Sequence, residues 1–149
     1  MNGKNYKHKI FEVVKFHEVD MLGVCNNAVY LNYFEDARIK YLQCLSSEYK
    51  FNSFLVGDSF VIIARNEINY LSPSYLDDEL TVYTKIENVS KSSFSFEHFI
   101  YREKGKTNIA EGRGVLVHIN KNTKKSILLP EEFHNAVQNF EGEKEINNS

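Results

Sequence analysis

Hydrophobic and polar positions alternate along this chain in two periods, and the change of period divides it into elements. Between residues 7 and 16, Ile10 and Val14 recur among polar neighbours, which predicts a first strand. From Asn27 to Leu45 the period lengthens. Tyr30, Phe34, Ala37, Tyr41 and Cys44 fall at the four-three spacing of a buried helix face, and Leu31, Leu42 and Leu45 widen the stripe. At 1.5 Å per residue such a helix runs roughly 28 Å. Asn26 or Asn27 caps its start, since a short polar side chain there accepts from an unpaired backbone N–H. Glu35 with Arg38, and Asp36 with Lys40, stand at spacings that pair opposite charges on the exposed face.

Beyond the helix the period becomes two. Ile62, Ala64, Ile68 and Tyr70 share one face of a strand, with Arg65, Glu67 and Asn69 on the other. Residues 80–87 alternate strictly, and residues 94–100 do so for most of their length. In a last strand from Asn108 to Ile119, Ala110, Gly112 and Gly114 share a face, which predicts that another backbone, that of the helix, passes close. Gly105 is the positive-φ residue of a hairpin turn at 103–107. Residues 88–91 form a second turn, and Leu71 to Asp78, carrying Pro73, is a longer crossing. A short helix is expected over 131–140.

One helix cannot cover both faces of a flat sheet, and this one's stripe is too broad for one-sided contact. The predicted class is therefore α+β, a curved antiparallel sheet of about five strands wrapped around one long central helix. That leaves a sheet face or edge for a partner, so a homodimer or homotetramer is expected. Residues 1–140 read as one domain and 141–149 as a polar tail.

Composition narrows the function. Lys plus Arg total 18 against 20 for Asp plus Glu, a net charge of −2 that argues against nucleic acid as a partner. The longest apolar run, Phe60 to Ala64, is far short of the ~18 residues of a membrane span. Glu12 and Lys15 interrupt any signal-peptide core, so no membrane partner is expected and the cytoplasm is the predicted location. Cys25 and Cys44 form no CxxC pair or disulfide framework, and His8, His17, His98, His118 and His134 show no metal-ligand spacing. Lys121, Lys124 and Lys125 read as a solvated basic turn.

The informative stretch is residues 16–38. It puts Asp20 in a glycine-containing loop directly before the N-terminus of a buried helix, where unpaired N–H groups and the helix dipole favour a developing negative charge. An aspartate there either activates an attack on a carbonyl or simply makes an Asx turn, and spacing alone leaves both open. Cys25 lacks a neighbouring basic His and reads as a small apolar residue.

Three blocks carry a resemblance. Asp20-Met-Leu-Gly23-Val-Cys-Asn-Asn27-Ala-Val-Tyr30 with Tyr33-Phe-Glu-Asp-Ala-Arg38, then Glu67 to Pro73 with Asp78 to Val82, then Lys91-Ser-Ser-Phe94, together resemble the 4-hydroxybenzoyl-CoA thioesterase type of hotdog-fold acyl-CoA thioesterases over about residues 7–133. The resemblance implies a hotdog fold and hydrolysis of an acyl-CoA to a carboxylic acid and free CoA, with CoA as part of the substrate and no separate cofactor or metal. It implies that Asp20 is the catalytic carboxylate, as nucleophile or general base, and that the Asn27 N–H polarises the thioester carbonyl. Gly23 then permits the tight loop, Tyr30 packs beneath the site, and Lys91 and Ser93 contact CoA phosphates, often from the neighbouring subunit. The chain departs from the family in having Val24 and Asn27 where many members carry His, so no second proton carrier stands beside Asp20. Two alternatives follow: an acyl-CoA-binding protein without turnover, or a hydroxyacyl-thioester dehydratase, which needs a His–carboxylate pair.

Overall fold

The computed structural model describes residues 5–49 and 59–142. Strand β1 (His8–Val13) is followed by helix α1 (Asn27–Tyr49), strands β2 (Ser59–Tyr70), β3 (Glu79–Val89), β4 (Ser93–Arg102) and β5 (Thr107–Asn120), and helix α2 (Glu131–Glu141). The strands form one antiparallel sheet in the order β1-β3-β4-β5-β2, with α1 packed on its inner face. This is the hotdog arrangement. No helix of the described residues is long and apolar enough to cross a membrane.

The predicted stripe of α1 is the buried one: Tyr30, Tyr33, Phe34, Ala37, Tyr41, Leu42 and Leu45 all lie in the core, while Cys44 is half-buried. Toward its start, Tyr30, Tyr33 and Phe34 pack with Val82, Ile100 and Ile109. Toward its end, Tyr41, Leu42 and Leu45 pack with Ile86, Phe94, Phe96 and the α2 residues Phe133, Ala136 and Val137. The first strand is shorter than 7–16, giving way to a single 3₁₀ turn at Phe16–Glu18.

Three expectations are corrected. Ala64 is an extra residue, since Ile63 pairs with Leu116 and Arg65 with Val115. A bulge inverts which residues share a face. Ile63, Asn66, Ile68 and Tyr70 therefore face inward opposite Leu116, Gly114, Gly112 and Ala110, and Ile62 turns outward. Second, the small residues of β5 do not admit a backbone of α1. A Cβ on Gly112 would stand 2.6 Å from the Phe34 ring and 2.6 Å from the Glu67 carbonyl oxygen of neighbouring β2, and one on Gly114 would stand 3.5 Å from Arg38 Nη1. Third, Glu141 is no part of a tail. It ends α2, is buried, and accepts from the Tyr41 hydroxyl at 2.5 Å and the Ile86 N–H at 3.3 Å. The tail from 143 onward lies outside the described residues.

The outer face of the sheet is partly covered by the chain itself. The Tyr6 ring lies 5.6 Å from Tyr83 and 6.5 Å from Phe99, and its hydroxyl donates to Glu97, which buries Phe99 on that side. Among the described residues no further strand pairs with the edges β1 and β2, where Phe11, Ile62, Ile63 and Tyr70 are exposed.

Candidate active site

The loop before α1 is a small hairpin. Val19 bridges to Cys25, the Asp20 N–H donates to Val24 O at 2.9 Å, and the Gly23 N–H donates to Asp20 O at 3.0 Å. Gly23 turns it with φ +81°, and no atom lies within 4 Å of where its Cβ would be, so conformation rather than space demands glycine. One Asp20 carboxylate oxygen accepts from the Leu22 N–H at 2.8 Å. Asp20 thus makes the Asx turn that spacing allows, with its carboxylate exposed at the loop tip beside Met21 and Leu22.

Asn26, not Asn27, caps the helix, its side-chain oxygen accepting from the Ala28 N–H at 3.0 Å. Asn27 is the first helical residue, so its N–H has no acceptor within the helix. The loop is fastened from three sides. The Cys25 N–H donates to Ser74 O and the Asn26 N–H to Glu18 O, both at 2.8 Å, and Val24 bridges to Tyr75. Two phenols of α1 hold the same segments. Tyr30 and Ser74 share a hydroxyl hydrogen bond of 2.6 Å, and Tyr33 donates to Glu18 Oε1 at 2.7 Å. Burial pushes the Tyr30 phenol up to about 12, and burial with the Glu18 carboxylate holds Tyr33 higher still, so both remain neutral donors. Burial also raises the Cys25 thiol, which keeps it protonated and a poor nucleophile.

A cleft of about 220 Å³ opens at this helix end between Val24, Cys25, Asn27, Tyr30, Tyr70 and Leu71. Asn27 and Tyr30 are in its wall; Asp20 is not. The Tyr70 hydroxyl closes one side by donating to Asn27 O at 3.3 Å. Lys91 and Ser93 stand elsewhere. Ser93 opens β4, whereas Arg102 at the other end of that strand donates to Pro73 O and Asp78, beside the cleft. A ten-residue strand spans roughly 30 Å. One chain therefore groups Asp20, Gly23, Asn27 and Tyr30 at one end of the sheet and leaves Lys91 and Ser93 at the other.

Ser74, Glu18 and Tyr33 hold the loop and were missed by sequence reading, because their side-chain contacts join positions 15 and 44 residues apart. Arg38 is a correction. Its i−3 spacing from Glu35 reads as a surface pair, but it is 7% exposed and its Nη1 is buried with no hydrogen-bond partner. Burial pulls the guanidinium down, partly offset by Glu35. His98, beside it, is sandwiched against Phe34 at 4.4 Å and bonded to Thr84 Oγ1 at 3.0 Å. Burial, then Arg38 and His8, hold His98 well below the usual imidazole range, hence neutral. Asp36 stands near Glu12, whose carboxyl is raised to about 7 by burial and by that neighbour. Among the described residues no group of three His, Cys, Asp or Glu side chains could hold a metal ion.

Residues 14–137 match the Thioesterase-like superfamily. A chloroplastic acyl-acyl carrier protein thioesterase of Arabidopsis thaliana is 28% identical over 140 residues, covering 93% of this chain and 71% of the relative. A thioesterase of Thermus thermophilus, solved in complex with coenzyme A and zinc, superposes with a TM-score of 0.75 at 30% identity over 93% of this chain and 97% of that one. A DHNA-CoA thioesterase of Staphylococcus aureus superposes with a TM-score of 0.80 at 23% identity over 95% and 93%, a likeness of fold.

Proposed function

Because the chain belongs to the Thioesterase-like superfamily, and is by family a thioester hydrolase, we propose that it hydrolyses acyl-CoA to a carboxylic acid and free CoA. One observation carries the reading: the Asn27 N–H, without a helical acceptor, lines a cleft at the dipole's positive end, a few residues from a carboxylate on a fastened loop. A thioester carbonyl placed there gives its oxygen to that N–H. Asp20 then acts in one of two ways. As general base it takes a proton from water, the hydroxide adds to the carbonyl carbon, and collapse of the oxyanion expels the CoA thiolate, which takes the proton back. As nucleophile its carboxylate adds instead, the thiolate leaves, and water hydrolyses the resulting anhydride. Either role supplies ~10²–10⁴-fold, and one oxyanion donor ~10²–10³-fold more. Thiolate is a good enough leaving group that we assign no metal or further cofactor.

The separation of Lys91 and Ser93 from the cleft supports a composite site, in which a second chain brings its Lys91 turn to the CoA phosphates. A homodimer or homotetramer follows from that. The test is chromatographic detection of CoA released from short, long and aromatic acyl-CoAs. Asp20→Asn is expected to lose at least ~100-fold in turnover with fold and assembly intact; equal activity would remove the mechanism. A second reading has one specific observation in its favour. The Asp20 carboxylate is engaged by Leu22 and stands outside the cleft wall, as suits a protein that binds acyl-CoA without turnover. Binding with no release from any substrate would select it. The dehydratase reading has no such support, since His98 and His118 are buried sheet residues.

A further inference from the structure

Two tyrosine rings wall the cleft at the start of α1, and they are held differently. Tyr30 is 2% exposed, and its hydroxyl shares a 2.6 Å hydrogen bond with the buried Ser74. Tyr70 is 44% exposed, its ring 6.0 Å from that of Tyr30 and tilted by 43°. The Tyr70 hydroxyl donates to Asn27 O at 3.3 Å, longer than the ~2.5–3.0 Å usual for an O–H donor. That carbonyl belongs to the first residue of α1, so the helix already gives it the Leu31 N–H. Withdrawing the phenol therefore leaves no buried acceptor orphaned.

Movement is confined to the side chain. The Leu71 and Ser72 N–H groups both donate to Ile109 O, at 2.9 and 3.2 Å, so the backbone just after Tyr70 is pinned. Across the strand pair stands Ala110, whose methyl is too short to brace a ring. A half-exposed side chain so held changes rotamer on a ps–ns scale, far faster than an enzyme turns over. One wall of the cleft is thus fixed and the other swings.

The position of that wall decides what fits. With Tyr70 against Asn27 the cleft holds about 220 Å³. At the ~30 Å³ that a water takes in the liquid, this is room for about seven non-hydrogen atoms. Val24, Cys25, Leu71 and the two rings make the lining largely apolar. Such a lining suits an acyl chain better than the amide-bearing arm of CoA, whose amides need partners.

We propose that Tyr70 is a specificity-determining gate: closed on Asn27 it admits acyl groups of about seven carbons or one aromatic ring, and longer chains enter only when it swings out. The proposal rests on the thioesterase reading given above and concerns the size of acyl group that reading leaves open. A long chain must displace the ring from Tyr30 and Asn27, and this cost falls on the chain alone, since thioester and CoA are common to every substrate. Apolar pockets discriminate by ~10–200-fold for a single methylene, so a ring in the path is expected to cost at least about tenfold.

The test measures CoA release from straight-chain acyl-CoAs, acetyl to palmitoyl, by wild type, Tyr70→Phe and Tyr70→Ala. The readout is the ratio of kcat/KM for lauroyl-CoA to that for hexanoyl-CoA within each variant, which does not depend on how much of the protein is folded. Wild type is expected to favour hexanoyl-CoA about tenfold or more, mainly through KM. Tyr70→Ala is expected to raise the ratio about tenfold, and Tyr70→Phe, which keeps the ring and loses its latch, to fall between the two. An unchanged ratio in Tyr70→Ala overturns the proposal, as does a wild type with no preference for the shorter chain. If wild type releases CoA from none of them, the thioesterase reading fails, and binding of the same acyl-CoAs decides the gate. A relative gain in lauroyl-CoA affinity in Tyr70→Ala upholds it, and an unchanged affinity ratio ends it.

Discussion

The two ends of α1 use the same device for different purposes. Near its start, the phenols of Tyr30 and Tyr33 reach out to Ser74 and Glu18, tying down the segments that frame the cleft. Near its end, the phenol of Tyr41 reaches the Glu141 carboxyl and ties down α2. The first pair of contacts holds the loop that carries the proposed catalytic carboxylate. The last holds a helix that only completes the core. Between them lies Arg38, a buried group with no partner on its Nη1. Polar groups inside a protein are therefore not interchangeable: two sets are hydrogen-bonded to partners, and the third keeps one nitrogen without a hydrogen bond, its desolvation only partly offset by Glu35.

Substitutions can break that comparison. Tyr41→Phe removes the phenol donor of the buried Glu141 carboxyl, leaving the Ile86 N–H, and is expected to cost about 2–3 kcal/mol in denaturant unfolding, while leaving turnover per folded molecule unchanged. Tyr30→Phe leaves only a hydroxyl short of a partner and is expected to cost about 1 kcal/mol, yet to lower kcat by letting the loop shift. If both variants keep full turnover, or both lose it alike, the division between the two ends of α1 is wrong. Arg38→Met sharpens the contrast from the other side. Replacing a buried guanidinium whose Nη1 has no hydrogen bond with an apolar chain of similar length should raise stability by about 1 kcal/mol, and a loss would show that its remaining interactions, that with Glu35 among them, outweigh its desolvation.

A further effect is electrostatic and confined to a window of pH. The Glu12 carboxyl is raised from 4.5 to about 7 in the folded chain, so between those values the folded state binds more protons than the unfolded one. Its contribution is therefore present below pH 4.5 and lost as pH rises through about 7. Urea unfolding across that window should show Glu12→Gln flattening the decline, and an unchanged slope would place the proton elsewhere.

Much of this was legible in the residues. The four-three spacing of Tyr30, Phe34, Ala37 and Tyr41 marks α1 because a helix repeats near that period, and strict alternation marks β3 because a strand repeats at two. The loop from Asp20 to Asn27 was legible because it is local: turn, cap and helix start lie within eight neighbouring positions. What failed was non-local. Nothing in the sequence of β2 announces the bulge at Ala64, because it arises from pairing with β5. Arg38 reads as a surface cation because an i−3 acid precedes it, whereas it lies buried against the sheet, its Nη1 3.5 Å from where a Cβ of Gly114 would stand. The separation of Lys91 from Asp20 depends on which end of β4 each adjoins, a property of topology rather than of spacing.

Gly112 has a consequence for how this sequence can drift. Its missing side chain is matched to the Phe34 ring on one side and to the β2 backbone on the other. A smaller residue at 34 could make way for alanine at 112 as far as the ring is concerned. The Glu67 carbonyl, being main chain, offers no such concession. The glycine thus fixes the spacing of edge strand β2 and its neighbour β5 in a manner no second mutation readily repairs. Among descendants of this chain, variation at 34 should be tolerated long before variation at 112.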